Sequence, residues 1–345
     1  MRRPLLALAA LGALLALPAA ALAHTGGTAG TDYRSTVRST PDGMTARMVG
    51  GDDRLEVHRT GARSVIVLGY EGEPYLRLDE RGVWENRRSP AVALNAQRTS
   101  AGTPSGDAID ADPDWVRIGD GATAIFHDHR AHWMGTQPPV KVRANPDTAQ
   151  VLYDWKVPVI VDGAPRGIEG DVAWVPPPAA WAWWTATALA MLGAFAIGIA
   201  RRLPTAHLAL GGTGVALAAA GALGVSEQLD LPDNQVGAAI AAAVPLAALA
   251  IGAALAHRLR TTPVLVATAL LLATLVAGGI PLVGFAGAAF SYGLVPGPLP
   301  TIAARVLVVL ALAALALVAG ACGRAWLEAT RGAQPEARPR AEASW

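Results

Sequence analysis

The sequence predicts an all-β extracytoplasmic β-sandwich followed by an α-helical membrane bundle of five transmembrane helices. The two halves of the chain differ in composition. From Thr28 to about Pro178, charges of both signs are scattered among Gly, Pro and Asp, whereas Ala, Leu, Val and Gly dominate from Ala179 to about Cys322. Short β-branched and aromatic runs recur in the first half, and five long apolar stretches fill the second.

The first 23 residues have the pattern of a signal peptide. Two arginines are followed by an apolar run and by the small-x-small site Ala21-Leu22-Ala23. Cleavage after Ala23 would make His24 the first residue of the mature chain. An α-amine and an imidazole on one residue can together chelate copper, so His24 is a candidate ligand.

Residues 24–175 are predicted to form the extracytoplasmic β-sandwich. Turn-forming residues separate many short candidate strands, which is typical of an antiparallel sandwich. The single cysteine, Cys322, excludes an intrachain disulfide, so the domain must depend on sheet packing. The candidate strands are residues 45–49, 54–58, 64–69, 74–78, 83–86, 115–118, 122–126, 150–161 and 170–175.

Residues 176–323 are predicted to form the membrane domain, and residues 324–345 a disordered cytoplasmic tail rich in Ala, Pro, Glu and Arg. Each apolar stretch is long enough to cross the hydrocarbon core as a helix. Basic residues cluster after the first, third and fifth stretches, and the loops 226–235 and 284–300 contain no Lys or Arg. By the positive-inside rule, the N-terminal domain is outside and the C-terminus is cytoplasmic. The five stretches are 180–200, 205–225, 236–256, 263–283 and 302–322.

Three of the seven histidines lie within six residues, at His127, His129 and His132. On a strand, residues two apart project from the same face, so His127 and His129 are expected within reach of one metal ion. His132 is expected to fold back across a turn. Neutral imidazole suits Cu(II) or Zn(II), and the Met134 thioether suits Cu(I). The alternatives are a structural or partner-facing cluster and a pH-sensing role.

The segment from Val151 to Val175 resembles the C-terminal hairpin of the CopC-type periplasmic copper-binding family. It contains a tyrosine and tryptophan strand, an Asp-Gly-x-Pro turn at 162–165, and then a glycine and an aromatic strand. The layout also resembles proteins in which a CopC-type domain precedes a multi-span membrane domain. The resemblance implies an Ig/CopC-like sandwich, with His24 and Asp162 as copper ligands. Where the family has a turn histidine, this chain has Ala164.

Other function classes have less sequence support. The net charge is +1 and no basic stripe is present, so no nucleic-acid partner is expected. A serine nucleophile elbow, a phosphate loop and a zincin helix are absent, and the segment Tyr70 to Tyr75 resembles a turn more than a pair of catalytic carboxylates. We therefore expect no enzymatic activity.

The leading hypothesis is a multi-pass membrane protein that binds copper outside the cytoplasm for resistance, storage or delivery. The candidate ligands are His127, His129, His132, His24, Asp162 and Met134. The alternative hypothesis is a structural or interaction protein without a metal, whose β-sandwich binds another envelope protein. The lipid bilayer is an expected partner under both hypotheses.

Overall fold

The computed structural model describes residues 30–96, 112–200, 203–230, 235–258, 263–295 and 297–332. The chain divides into two compact units. The β unit comprises Thr28–Pro178 together with Ser291–Pro298, and the helical unit includes Ala179–Phe290 and the chain from Leu299 onward. The predicted signal peptide (1–23), His24 and residues 333–345 of the expected tail lie outside the described residues.

Ten strands and two short helices make up the described part of the β unit. Every predicted strand segment overlaps an observed strand, but β1 was not among the candidate strands. The two one-turn helices were also not predicted. The strands are β1 Tyr33–Ser39, β2 Met44–Val49, β3 Arg54–Arg59, β4 Ser64–Leu68, β5 Pro74–Asp79, β6 Gly82–Asn86, β7 Trp115–Gly119, β8 Thr123–Phe126, β9 Gln150–Val161 and β10 Ala164–Trp174, and the helices are α1 Pro90–Leu94 and α2 Val140–Ala144.

The strands form two antiparallel sheets that share one apolar core. The larger sheet has the strand order β1-β10-β9-β4-β5-β6-β7, and the smaller has the order β2-β3-β8. Alternate residues along the strands are buried, as expected where one face of a sheet packs inward. Leu55 and Phe126 of the smaller sheet belong to the same buried cluster as Val65, Leu78 and Val157 of the larger sheet.

The β9–β10 hairpin closes through Asp162 and Gly163, which have φ values of 50° and 83°. Two consecutive positive φ values are typical of a type I′ turn, for which Asp-Gly is a favoured pair. One carboxylate oxygen of Asp162 accepts the Ser64 backbone N–H at 2.9 Å, which attaches the turn to the beginning of β4. The geometry of the hairpin turn and the contact with Ser64 therefore explain why Asp and Gly occupy these two positions.

A segment distant in sequence completes the β unit. Leu294 forms an antiparallel β-bridge with Thr31, and the Gly293 N–H donates to the Asp32 carboxylate at 2.7 Å. Burial raises the pKa of this carboxyl group above its ordinary value. A Cβ atom on Gly293 would lie 2.2 Å from the carbonyl oxygen of Val175, so only glycine fits. We call residues 291–298 the inserted segment.

The described helical unit contains four helices that are long and apolar enough to cross a membrane: Ala180–Ile199, Thr205–Leu229, Gln235–Ala254 and Thr301–Arg331. This supports a multi-pass membrane protein. The helices themselves are α3 Ala180–Ile199, α4 Thr205–Leu229, α5 Gln235–Arg258, α6 Pro263–Thr274, α7 Ile280–Ser291 and α8 Thr301–Gly332, with a π-helix, Leu275–Gly279, between α6 and α7.

Two expectations for this half differ from the structure. The expected span 263–283 falls on α6, the π-helix and the start of α7, so no single α-helix covers it and the five-span count is not confirmed. Residues 324–332, which the sequence analysis assigned to a disordered tail, continue α8. Arg324 explains part of this continuation, because its buried guanidinium donates to the carbonyl oxygens of Ala200 and Leu203.

We predict that Gly293→Ala destabilises the β unit. The added methyl group would overlap the Val175 carbonyl, and overpacking of this kind costs about 1–3 kcal/mol. Thermal unfolding of the full chain in detergent, followed by near-ultraviolet circular dichroism, should show a lower midpoint. Gly287→Ala is the matched control, since nothing lies within 4 Å of its added Cβ. Equal midpoints for the two variants would contradict the prediction.

Candidate functional site

The histidine-rich segment 127–132 begins immediately after β8 ends at Phe126. The expectation that His127 and His129 share a face assumed that the strand continues. Because the backbone leaves the sheet at this point, alternation no longer determines where these side chains point. The structure instead directs His127 and His129 to different neighbours.

His127 contacts the turn between β2 and β3. Its Nδ1 lies 2.9 Å from the Asp53 carbonyl oxygen and 3.7 Å from a carboxylate oxygen of the same residue. The side chain is partly buried. Its contacts are therefore those of a histidine that attaches the end of β8 to the neighbouring turn.

Asp128 and Arg130 form an ion pair that anchors the segment to the larger sheet. Asp128 is only 1% exposed, and the guanidinium donates to its two carboxylate oxygens at 2.9 and 2.7 Å. The same guanidinium donates to the carbonyl oxygens of Leu68 and Gly69 at the end of β4. Burial alone would lower the pKa of Arg130. The hydrogen bond and the negative charge of Asp128 outweigh this effect, so the pKa of Arg130 is above its ordinary value.

Tyr70 lies beneath this ion pair and also supports the backbone of His129. The Arg130 guanidinium carbon is 4.7 Å from the centroid of the Tyr70 ring, within the range of a cation–π contact. The hydroxyl donates to Asn95 Oδ1 at 2.5 Å and accepts the His129 backbone N–H at 2.9 Å. Burial raises the pKa of the phenol, so Tyr70 is a neutral hydrogen-bonding group at physiological pH.

The turn that carries Tyr70 is held by a buried carboxylate. Glu73 accepts the Ser89 hydroxyl at 2.6 Å and the Glu71 backbone N–H at 3.0 Å. A Cβ atom on Gly69 would collide with this carboxylate, so a larger residue there would displace Glu73 from these hydrogen bonds. The interpretation of this segment as a turn matches the structure, and Glu73 is engaged in holding that turn.

His129 and His132 contact each other. Their ring centroids are 5.4 Å apart and the ring planes are inclined by 81°. His132 is 1% exposed, and its Nδ1 lies 3.3 Å from the Trp133 carbonyl oxygen. The Tyr153 hydroxyl donates to the His132 carbonyl oxygen at 2.7 Å. Two of the three clustered histidines are therefore held side by side, which we call the imidazole pair.

The remaining candidate ligands are in other places. Asp162 contacts the beginning of β4 and Arg130 contacts its end, so the five-residue strand separates them by roughly 13 Å. Met134 follows His132 by two residues and is 38% exposed. His24 lies outside the described residues. Asp162 is therefore separated from the imidazole pair, and only Met134 is close to it in sequence.

Within the described ranges, no group of three or more His, Cys, Asp or Glu side chains is arranged to hold a metal ion. The imidazole pair alone provides two nitrogen donors. The structure places the centroids of the two rings 5.4 Å apart. Chemically, the arrangement suits an ion that accepts two neutral nitrogen ligands.

Three supports of this site were not predicted from the sequence: Tyr70, Asn95 and Ser89. Tyr70 precedes the histidines by about sixty residues, so only the pairing of strands brings it to them. The sequence could have indicated the importance of this turn, because the glycines and proline of Gly-Tyr-Glu-Gly-Glu-Pro indicate a tightly constrained backbone.

No family model, curated protein or solved structure matches the chain.

We predict that Tyr70→Phe destabilises the β unit by about 1–3 kcal/mol, because it removes one partner from Asn95 and one from the His129 N–H. Urea unfolding of Tyr70→Phe, Asn95→Ala and the double variant forms a thermodynamic cycle. Residues that share a hydrogen bond should show a coupling free energy of about 1 kcal/mol. A coupling near zero would show that this hydrogen bond does not support the segment.

Proposed function

We propose that the protein is a multi-pass membrane protein that binds copper on the extracytoplasmic side through His129 and His132. The observation that supports this proposal is the direct contact of the two rings, with centroids 5.4 Å apart. His127 and Asp162, which the sequence analysis included among the ligands, have structural contacts elsewhere and are not part of the proposed pair.

The spacing of the imidazole pair fits a shared ion. A metal-bound imidazole nitrogen lies about 2 Å from the ion, which places the ring centroid roughly 3.1 Å from it. Two such rings at an angle of about 120° would have centroids roughly 5.4 Å apart. The observed centroid separation of 5.4 Å is therefore of the size that two imidazoles sharing one ion require.

The environment of His132 also favours this role. Metal-ligating histidines commonly donate their second ring N–H to a backbone carbonyl or a carboxylate, which fixes the tautomer. The position of Nδ1 near the Trp133 carbonyl favours that tautomer, in which Nε2 is the nitrogen that would bind the ion. Met134, partly exposed and two residues further on, is our candidate for a third, thioether donor.

The location of the site completes the proposal. A signal peptide in residues 1–23, a fifth span through residues 263–283 and basic clusters on the inner side would place the β unit outside the cytoplasm. Copper captured there serves resistance, storage or delivery to an envelope partner. The CopC-like identity of the sandwich is part of this proposal and depends on the hairpin at 151–175.

Copper titration of the purified full chain in detergent tests the function. We expect one equivalent to bind with a Kd of about 1 μM or lower, and binding to be lost in the double variant His129→Ala/His132→Ala. The double variant His58→Ala/His127→Ala is the matched control. It also removes two histidines of the β unit, whose contacts are to Thr123 and Asp53.

Two further results would decide between ligand sets and between functions. We expect Asp162→Asn to bind copper as tightly as the wild type. If this variant does not bind copper, the result favours the ligands that the family resemblance implies, His24 and Asp162. If both double variants bind copper as tightly as the wild type, His129 and His132 are not the ligands. If the wild type binds no copper, the copper function is wrong. The envelope-interaction hypothesis would then be the one to pursue.

A further inference from the structure

The β unit has an exposed apolar surface of its own: we propose that residues 133–151 contact the surface of the lipid bilayer that the apolar helices cross. We call residues 133–151 the contact segment. It follows the imidazole pair in the chain, contains α2 and ends in β9. The inference concerns the lipid contacts of the β unit and does not depend on the proposed copper function.

Exposed apolar side chains are concentrated in the contact segment. Met134, Val140 and Val151 are 38%, 72% and 52% exposed. Elsewhere in the described part of the β unit, the large apolar side chains that are exposed are Ile118 and Tyr292. Single apolar residues are ordinary on a protein surface, whereas a group of them marks an interaction surface. The contact segment is therefore the part of the β unit best suited to an apolar partner.

Hydrogen bonds hold the contact segment together at one end of the larger sheet. The Lys141 ammonium donates to the Val151 carbonyl oxygen at 2.7 Å, which brings α2 next to the beginning of β9. The Trp174 indole N–H donates to the Pro146 carbonyl oxygen at 2.7 Å. In the pairing of β9 with β10, Val151 is opposite Ala173. The exposed residues of α2 and β9 therefore lie beside the last residues of β10.

The chain enters the first apolar helix shortly after β10. Five residues, 175–179, separate the end of β10 from Ala180, the first residue of α3. A chain of this length reaches roughly 20 Å at most. Trp181 and Trp184, near the start of α3, are exposed, as is typical of anchors at the level of the lipid headgroups. The end of β10, which is paired with Val151, therefore lies within roughly this distance of the bilayer surface.

The chemical character of the contact segment suits the headgroup region. Lys141 and Arg143 are exposed, and Asp147 is the one acidic residue in the segment. Basic side chains beside apolar ones are typical of segments that lie at a bilayer surface. Trp133 stacks on Tyr33 of β1 with ring centroids 6.2 Å apart, which holds the beginning of the segment against the larger sheet. This combination favours a lipid surface over a purely apolar partner.

Ile118 provides a matched comparison, because it is an exposed apolar residue at the other end of the sheet. It is 54% exposed and lies in β7. Its neighbour Gly119 pairs with Val83, and the register continues through β5 and β4 to Val161 of β9. Val161 and Val151 are at opposite ends of β9, roughly 33 Å apart. A bilayer contact at Val151 is therefore expected to leave Ile118 in water.

Spin-label accessibility in the full chain tests the inference. A nitroxide is attached at Val140→Cys, Val151→Cys or the control Ile118→Cys, each in a Cys322→Ser chain in nanodiscs of phosphatidylcholine and phosphatidylglycerol. Oxygen is enriched in the bilayer, whereas a polar nickel complex is enriched in water. Because surface-bound apolar groups lie about 5–10 Å into the headgroup boundary, we expect an oxygen-to-nickel accessibility ratio at least about 5-fold higher at positions 140 and 151 than at 118.

Two results would overturn the inference. Equal ratios at the three positions would show that the contact segment has no greater access to lipid than the opposite end of the sheet. A label at position 140 or 151 that is immobilised and shielded from both reagents would show that a protein surface covers the segment. The labelled side chains are exposed, so their replacement removes little packing and the test does not depend on a destabilising variant.

Discussion

The ion pair between Asp128 and Arg130 is the contact on which the histidine segment depends. A carboxylate that is almost completely buried would be very costly without a partner, and the guanidinium satisfies both of its oxygens. The same guanidinium binds two carbonyl oxygens at the end of β4. One side chain therefore neutralises a buried charge and attaches the segment to the larger sheet, and this fixes the backbone that carries His129 and His132.

Further contacts support the segment outward from this ion pair. Tyr70 lies against Arg130, holds the His129 N–H and donates to Asn95, and its own turn is held by Glu73 and Ser89. Asp128 and Arg130 neutralise each other, and the Glu73 carboxylate accepts hydrogen bonds from the Ser89 hydroxyl and the Glu71 N–H. Together these contacts fix the backbone that carries the imidazole pair.

Much of the fold was predictable because it depends on local patterns. Short β-branched and aromatic runs between turn-forming residues located nine of the ten strands, and the family resemblance of residues 151–175 implied the hairpin that closes at Asp162–Gly163. β1 was missed because its alternation is weak and its partner, β10, is more than a hundred residues away. For the site, the sequence drew attention to the clustered histidines but grouped them by strand alternation. Since β8 ends at Phe126, contacts with Asp53 and Tyr70 decide which of them come together.

The inserted segment means that the β unit is discontinuous in the chain. Residues 291–298 supply the partners of Thr31 and Asp32, yet they are synthesised about 110 residues after Pro178. At typical rates of synthesis, roughly 5 to 20 seconds separate the two parts. During that interval the β unit has its two sheets but lacks the strand bridge at Thr31, and it becomes complete only after most of the helical unit has been made. The order of synthesis therefore links the maturation of the β unit to that of the membrane helices.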